Sequence, residues 1–313
     1  MKRLACLLAV AACLGCAPAQ ALNILLSNDD GYDHPNIRAV YRALHAQGHT
    51  VKIAAPYSEQ SARGGAFIYG RATEIGRDPD PAYPDSYYLT THESGPCTSP
   101  ACAGQTVDIR VSGTPVMAVL MGLSQLMPAP DLVIVGPNPG NNLGTLNAAS
   151  GTYNAATTAL LAGFPTLAVS TDLKEQAPDQ VARLVAGLVE ALEHHRQADG
   201  ALLPKGVGLN INFPPLASLK GVRMTRIGSY VPFTALYTDD LGKLFPNAAG
   251  KPGISFRYAP PATAEQQDDE AVWLAKGYVT ISPFDGRVAS PDAANAVRPL
   301  ADPRWLSLPA PTP

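Results

Sequence analysis

The feature that most constrains this chain is an apolar run that stops at two adjacent carboxylates: Leu22-Asn23-Ile24-Leu25-Leu26-Ser27, then Asn28-Asp29-Asp30-Gly31. A near-continuous hydrophobic run of this length reads as a strand buried on both faces, the habit of parallel sheets. In open α/β sheets ligands bind beyond the C-terminal ends of the strands, so the two carboxylates fall where chemistry is done. Gly31 frees the backbone for a sharp turn there. The same residues would also suit a plain turn with a helix cap. The polar loops that follow favour a site.

Past that turn, Ile37, Val40, Tyr41 and Leu44 recur at helical spacing and close at Gly48, and Thr50 to Ala55 is a second short strand stopped by Pro56. Strand, helix, strand with short crossovers makes a parallel sheet. A dinucleotide fold would carry G-x-G-x-x-G in the first turn. Two carboxylates occupy it instead and would repel a phosphate without a cation between them, which argues against NAD and for a metal. The loop Tyr57 to Gly65 is rich in hydroxyls and glycine, and its Ser61 can reach the same rim as Asp29 and Asp30. Residues 77–106 are dense in Pro, Tyr, Asp and Ser and read as a long surface insertion. Ser112-Gly113-Thr114-Pro115 then opens a helix over Val116 to Met127.

A third buried strand, Pro130 to Val135, runs into Gly136-Pro137-Asn138-Pro139-Gly140-Asn141-Asn142-Leu143-Gly144. Such a loop serves as a turn in many proteins; after a strand of this sheet it also presents Asn138 to the site. Ser150-Gly151-Thr152 starts an Ala-rich helix ending at Gly163, and its N-terminus is either a simple N-cap or an anion site. A strand over Thr166 to Ser170 and a helix over Gln180 to His195 follow. Strands at Val207 to Phe213, Gly221 to Ile227 and Gly277 to Ser282 read as a smaller β-rich extension for packing or oligomerisation.

The chain has 313 residues, 46% hydrophobic and 16% charged, enough for one sizeable globular domain or two small ones. Met1-Lys2-Arg3, the apolar stretch Leu4 to Leu14 and Ala19-Gln20-Ala21 have the three parts of a secretory signal. The expected division is a signal at 1–21, an α/β domain at 22–290 with its core at about 22–200 and extension at about 201–290, and a Pro/Ala-rich tail at 291–313. Removal of Lys2 and Arg3 with the signal takes the net charge from −3 to −5, and no basic run suggests polymeric nucleic acid or a membrane surface. The expected location is the periplasm or the exterior. A lipoprotein cut before Cys16 is less favoured, because Cys13 stands where a lipobox has an aliphatic residue. The mature chain keeps only Cys97 and Cys102, a close pair suited to a small disulfide in an oxidising compartment; for a metal site, only His92 is near.

Asp29, Asp30, Ser61 and Asn138 are oxygen donors beyond three different strands, which a parallel sheet would gather. Hard oxygen donors without His or Cys suit Mg2+, Mn2+ or Ca2+ better than Zn2+. Beside the helix start at Ser150 to Thr152, such a cation would clamp one phosphoryl group.

These blocks resemble the stationary-phase survival protein family, SurE, over most of the mature chain. The resemblance rests on Ile24 to Gly31, Ala55-Pro56 with Ser61, Ser112 to Pro115, Pro130 to Val133 with Gly136 and Asn138, Asn142-Leu143-Gly144, Ser150-Gly151-Thr152 and Gly163-Phe164-Pro165. Weaker echoes follow in Leu209 to Pro214, Thr225 to Gly228 and Gly277 to Pro283. It implies a Rossmann-like three-layer α/β core and an extension used for dimer or tetramer contacts. It also implies a metal-dependent 5'/3'-nucleotidase with one divalent metal, Mg2+ or Mn2+. By position Asp29, Asp30, Ser61 and Asn138 match the family's metal ligands, with Asp29, Asp30 and Asn138 in the catalytic set. Asn142, Ser150, Gly151 and Thr152 match its phosphate-side loop. The chain departs from the family pattern at Val135, at Met117-Ala118 and at Thr158, none a proposed ligand. Two rival readings are a periplasmic protein that binds a phosphate ester without turnover, and a degenerate member whose cation is structural. The first predicts saturable binding without released phosphate, the second metal-induced stabilisation without turnover.

Overall fold

The computed structural model of the protein describes residues 21–287. The signal up to residue 20, with Cys16, and the tail at 291–313 lie outside the described residues. Strand β1 (Asn23–Ser27) stands at the middle of a ten-stranded sheet. Its alternate residues feed two different cores: Ile24 and Leu26 face one, Leu25 the other, and all three are fully buried. That two-sided burial is why the run has no polar alternation. Helix α1 (Pro35–Ala46) has proline in its first turn, and the His34 side chain accepts the Asn36 N–H at its start. Ile37, Val40, Tyr41 and Leu44 point inward as their spacing predicts. The chain returns as β2 (Thr50–Pro56), parallel to β1.

The expected insertion at residues 77–106 is a correction. The chain forms β3 (Thr73–Arg77), β4 (Ser86–Pro96) and β5 (Thr106–Ser112), and β4 belongs to the sheet itself, pairing in parallel with β2 and antiparallel with β3 and β5. Hydrophobic periodicity misses β4 because it buries polar residues: Ser86, Thr90 and Thr91 are at most 1% exposed. Cys97 and Cys102 lie in the connection between β4 and β5 with Cα atoms 5.8 Å apart, at disulfide distance.

Helix α2 (Pro115–Met121) is capped by Thr114 and continues as a π-helical turn to Leu126. Then come β6 (Leu132–Pro139), α3 (Gly151–Leu161), β7 (Thr166–Thr171), α4 (Pro178–His194) and β8 (Gly208–Asn212). Helices α1 and α4 pack on one face of the sheet and α2 and α3 on the other, giving the three layers.

The expected extension is also redrawn. Beyond β9 (Gly221–Met224), β10 (Phe233–Thr238), β11 (Gly253–Tyr258) and α5 (Glu270–Ala275), the last strand is β12 (Tyr278–Phe284). The central sheet runs β3-β4-β2-β1-β6-β7-β8-β12-β9, so β8, β12 and β9 complete it and only β10 and β11 form a separate ribbon. Strand β12 enters antiparallel to β8, pairing Ile281 with Ile211. Partners so far apart in sequence carry no local signal of their meeting. Among the described residues no helix is long and apolar enough to cross a membrane.

Candidate active site

Strand β1 delivers Asp29 and Asp30 to the C-terminal edge of the sheet. Asn28 shapes the turn: its amide donates to the Gly31 carbonyl at 2.8 Å and its oxygen accepts the Gly31 N–H at 3.2 Å. Asp29 is 3% exposed and its Oδ1 accepts the Thr152 hydroxyl at 2.5 Å. Burial raises its carboxyl above the ordinary carboxylate range, against the opposing hydrogen bonds from Thr152. Burial, then the neighbouring charges of Asp29 and Glu59, push Asp30 up to about 8, and its Oδ2 is buried with no hydrogen-bond partner. Among the described residues no Lys, Arg or His nitrogen lies within 4.0 Å of either carboxylate.

The loop after β2 is fastened to this turn, because the Gln60 N–H donates to the Asp29 carbonyl at 2.7 Å. It then crosses to the entry of α3, where the Gly64 N–H donates to the Ala149 carbonyl at 3.0 Å. Ser61 thus lies one residue from the Asp29 contact, exposed, with its N–H on the Glu59 carboxylate at 2.6 Å. Sequence reading passes over Glu59, although it stands between Ser58 and Gln60 in the very loop singled out; its charge reaches both aspartates.

Asn138 arrives on a bulge. The pairing of β6 with β7 shifts register between Val135 and Asn138, and such bulges re-aim side chains next to sites. Gly136 makes the bulge feasible: its φ is +118°, and a Cβ would stand 2.1 Å from the Val169 carbonyl oxygen. Asn138 is 9% exposed and its Nδ2 donates to the Gly140 carbonyl at 2.6 Å, which commits the nitrogen and leaves Oδ1 as the donor atom for a ligand.

On the other wall, Ser150 is the N-cap of α3, accepting the Tyr153 N–H at 3.0 Å. Gly151 lets the helix start abut the turn: a Cβ there would lie 2.8 Å from both Cβ and Oδ2 of Asp29. The N-terminus of α3, expected beside the substrate's phosphate, therefore has Asp29 as its first partner. Asn142 is pinned on every side. Its N–H donates to Asn212 Oδ1 at 3.0 Å, its carbonyl accepts the amides of Asn210 and Asn212 at 3.0 Å each, and its own amide donates to Ser170 Oγ at 2.8 Å.

The residues fit a hard divalent cation. Two adjacent carboxylates without a basic partner, Asp29 buried and Asp30 half-buried with one oxygen orphaned inside, carry charge that desolvation makes costly. An amide oxygen from Asn138 and a hydroxyl from Ser61 would extend an all-oxygen donor set suited to Mg2+ or Mn2+. Among the described residues no group of three or more His, Cys, Asp or Glu could hold a metal, so neutral oxygens would have to complete the shell.

The family model described as survival protein SurE matches residues 24–232, from the first residues of β1 to the foot of β10. The chain belongs to the SurE family. Two relatives bear this out: the 5'-nucleotidase SurE of Nitratidesulfovibrio vulgaris Hildenborough is 33% identical over 271 residues, covering 84% of this chain and 93% of that one. The 5'/3'-nucleotidase SurE of Yersinia enterocolitica is 33% identical over 293 residues, covering 91% and 98%. The crystal structure of the SurE protein from Aquifex aeolicus matches in fold, with a TM-score of 0.66 over 89% of this chain and 99% of that one at 24% identity.

The three positions singled out in the sequence lie in or beside the core on the α2–α3 face. Val135 is fully buried under α2 and α3, Met117 is 8% exposed with its sulfur against the Ile68 N–H, and the Thr158 hydroxyl turns back onto the Asn154 carbonyl at 2.9 Å.

Proposed function

We propose that this SurE-family chain is a divalent-metal-dependent phosphomonoesterase that hydrolyses nucleoside 5'- or 3'-monophosphates. The observation that carries the reading is the pair of buried Asp29 and half-buried Asp30 at the C-terminal end of the central strand, without a basic partner and with the buried Asp30 Oδ2 left unbonded. Asp29 and Asp30 would hold the cation, with Asn138 and Ser61 supplying neutral oxygens. When bound, the cation supplies Lewis-acid stabilisation of charge on the phosphoryl group. The chain's own residues do the rest. Thr152 fixes the rotamer of Asp29, Glu59 deepens the negative field that selects a cation, and the pinned Asn142 segment forms the opposite wall. Burial keeps bulk water from screening these charges. Relatives that bear nucleotidase names support the substrate class.

The deciding experiment is phosphate release by residues 22–313 from nucleoside monophosphates with Mg2+, Mn2+ or EDTA. Release that requires metal is expected; release undiminished by EDTA would sink the metal site. The same metal-free protein has a definite pH signature. Asp30 titrates near 8 in the folded chain against an ordinary 3.8, so between those values the folded state holds more protons than the unfolded one. Asp29 shifts in the same direction. The pair's contribution is thus fully present below about pH 4 and is lost as pH rises through about 8. Added Mg2+ should raise the thermal midpoint most at the alkaline end, and a metal effect independent of pH would contradict it.

We also propose export, with a mature chain beginning at Leu22, and assembly into a dimer or tetramer. The β10–β11 ribbon supports assembly by exposing Tyr237, Ile254 and Tyr258. N-terminal sequencing of periplasmic protein and sedimentation of it test both; a cytoplasmic, uncleaved monomer would refute them.

A further inference from the structure

Helix α5 contributes a carboxylate that lies far along the chain from the Asp29 turn yet reaches the opposite wall of the site. Glu270 is fully buried. Its Oε1 accepts the Gly144 N–H at 3.0 Å, and its Oε2 accepts the Asn210 amide at 2.9 Å and the Ser282 hydroxyl at 2.8 Å. The same Asn210 nitrogen donates to the Asn142 carbonyl at 3.0 Å. One carboxylate is therefore fastened to both ends of the 142–144 segment, directly at Gly144 and through Asn210 at Asn142.

A neutral acceptor would satisfy these donors at far lower desolvation cost, and no Lys, Arg or His among the described residues lies within 4.0 Å of Glu270. What a carboxylate adds is two acceptor oxygens in one rigid plane and charge-assisted bonds stronger than neutral ones. Such bonds fix geometry more tightly than packing alone requires. Burial raises the group to about 7, so at about pH 8 it is mostly ionised.

We propose that Glu270 is a positioning residue of the active site, holding the 142–144 segment where it receives the phosphoryl group of the substrate. This rests on the phosphomonoesterase reading of the site. Glu270→Gln keeps the shape but puts an NH2 where one of the acceptor oxygens was, so at least one of the buried donors loses its partner. The loss of such a bond corresponds to about a tenfold change in an equilibrium constant.

The test uses the mature chain with saturating Mg2+ or Mn2+ at about pH 8. For Glu270→Gln, KM for adenosine 5'-monophosphate and the inhibition constant of inorganic phosphate should each rise about tenfold, with kcat falling less than about threefold. Amide exchange in the 142–144 segment should quicken. Unchanged KM and phosphate affinity in a folded variant, with only a lower thermal midpoint, would make Glu270 purely structural and overturn the proposal. If Glu270→Gln does not fold, Asn210→Ala decides by the same constants, because it cuts the Asn142 link and leaves Glu270 on Gly144 and Ser282. A wild-type chain that releases no phosphate refutes the phosphomonoesterase reading separately. Equilibrium dialysis of inorganic phosphate against wild type and variant then still decides the role of Glu270.

Discussion

Asp29→Asn is expected to lower metal-dependent phosphate release by about three orders of magnitude or more while leaving the protein folded, a loss of about 4 kcal/mol in transition-state stabilisation. The carboxylate is nearly the same shape as the amide, so the 2.5 Å contact from the Thr152 hydroxyl can persist on the remaining oxygen. What disappears is half of the charge that a cation would meet. Because the wild-type carboxylate is buried without a basic partner, neutralising it removes a desolvation cost. The metal-free variant should therefore melt no lower than metal-free wild type at about pH 8. It should also lose most of the stabilisation that Mg2+ gives. A variant within tenfold of wild-type activity at saturating metal would remove this turn from the mechanism.

The second large effect is expected at Gly151, where two ordinary rules point in opposite directions. Gly151 is the first residue of α3, in helical backbone, and alanine is the better helix former by about 1 kcal/mol within a helix. Propensity alone would make Gly151→Ala neutral or stabilising. The added Cβ, however, would stand 2.8 Å from Asp29 Cβ and Oδ2 and 3.0 Å from Pro115 Cγ. Neither the central strand nor the capped helix start can give way easily, so the Asp29 carboxylate must shift. A displacement approaching 1 Å costs about a hundredfold in rate. We expect kcat/KM to fall by about that factor, with a thermal midpoint close to wild type. Full activity in Gly151→Ala would show that α3 can retreat and that the contact with Asp29 is not a working constraint.

The parts of this molecule that were legible in the sequence are those where burial and polarity change together. β1, β2 and β6 are apolar blocks that run into Asn, Pro or Gly, β7 is one that runs into Ser170-Thr171-Asp172, and α1 and α4 keep their inward residues at helical spacing. The candidate site residues beyond those strand ends stand out for the same reason: in parallel strands, chemistry is expected where hydrophobicity stops. Strand β4 was hidden because Ser86, Thr90 and Thr91 are polar side chains inside the protein. Glu59 was hidden because a carboxylate in a polar loop looks like solvated surface. Glu270 was hidden because its partners Gly144, Asn210 and Ser282 are scattered over the chain. One signal was available: Asn210 and Asn212 alternate in an otherwise apolar strand, putting two amides on the same face, and both are fully buried.

The ribbon and the candidate site also share a point of packing. Leu143 from the 142–144 segment, Val231 from the foot of β10 and Ala271 from α5 form a small apolar cluster of their own, and the Gly144 backbone sits so close to Tyr230 that a Cβ would lie 2.7 Å from its carbonyl oxygen. If the ribbon carries the proposed assembly contact, a partner gripping it would bear on the same segment that the proposed substrate would meet. Two equilibria that bias one element must answer each other with equal coupling free energy. Under that assembly, protein concentration and substrate concentration would become two handles on a single variable.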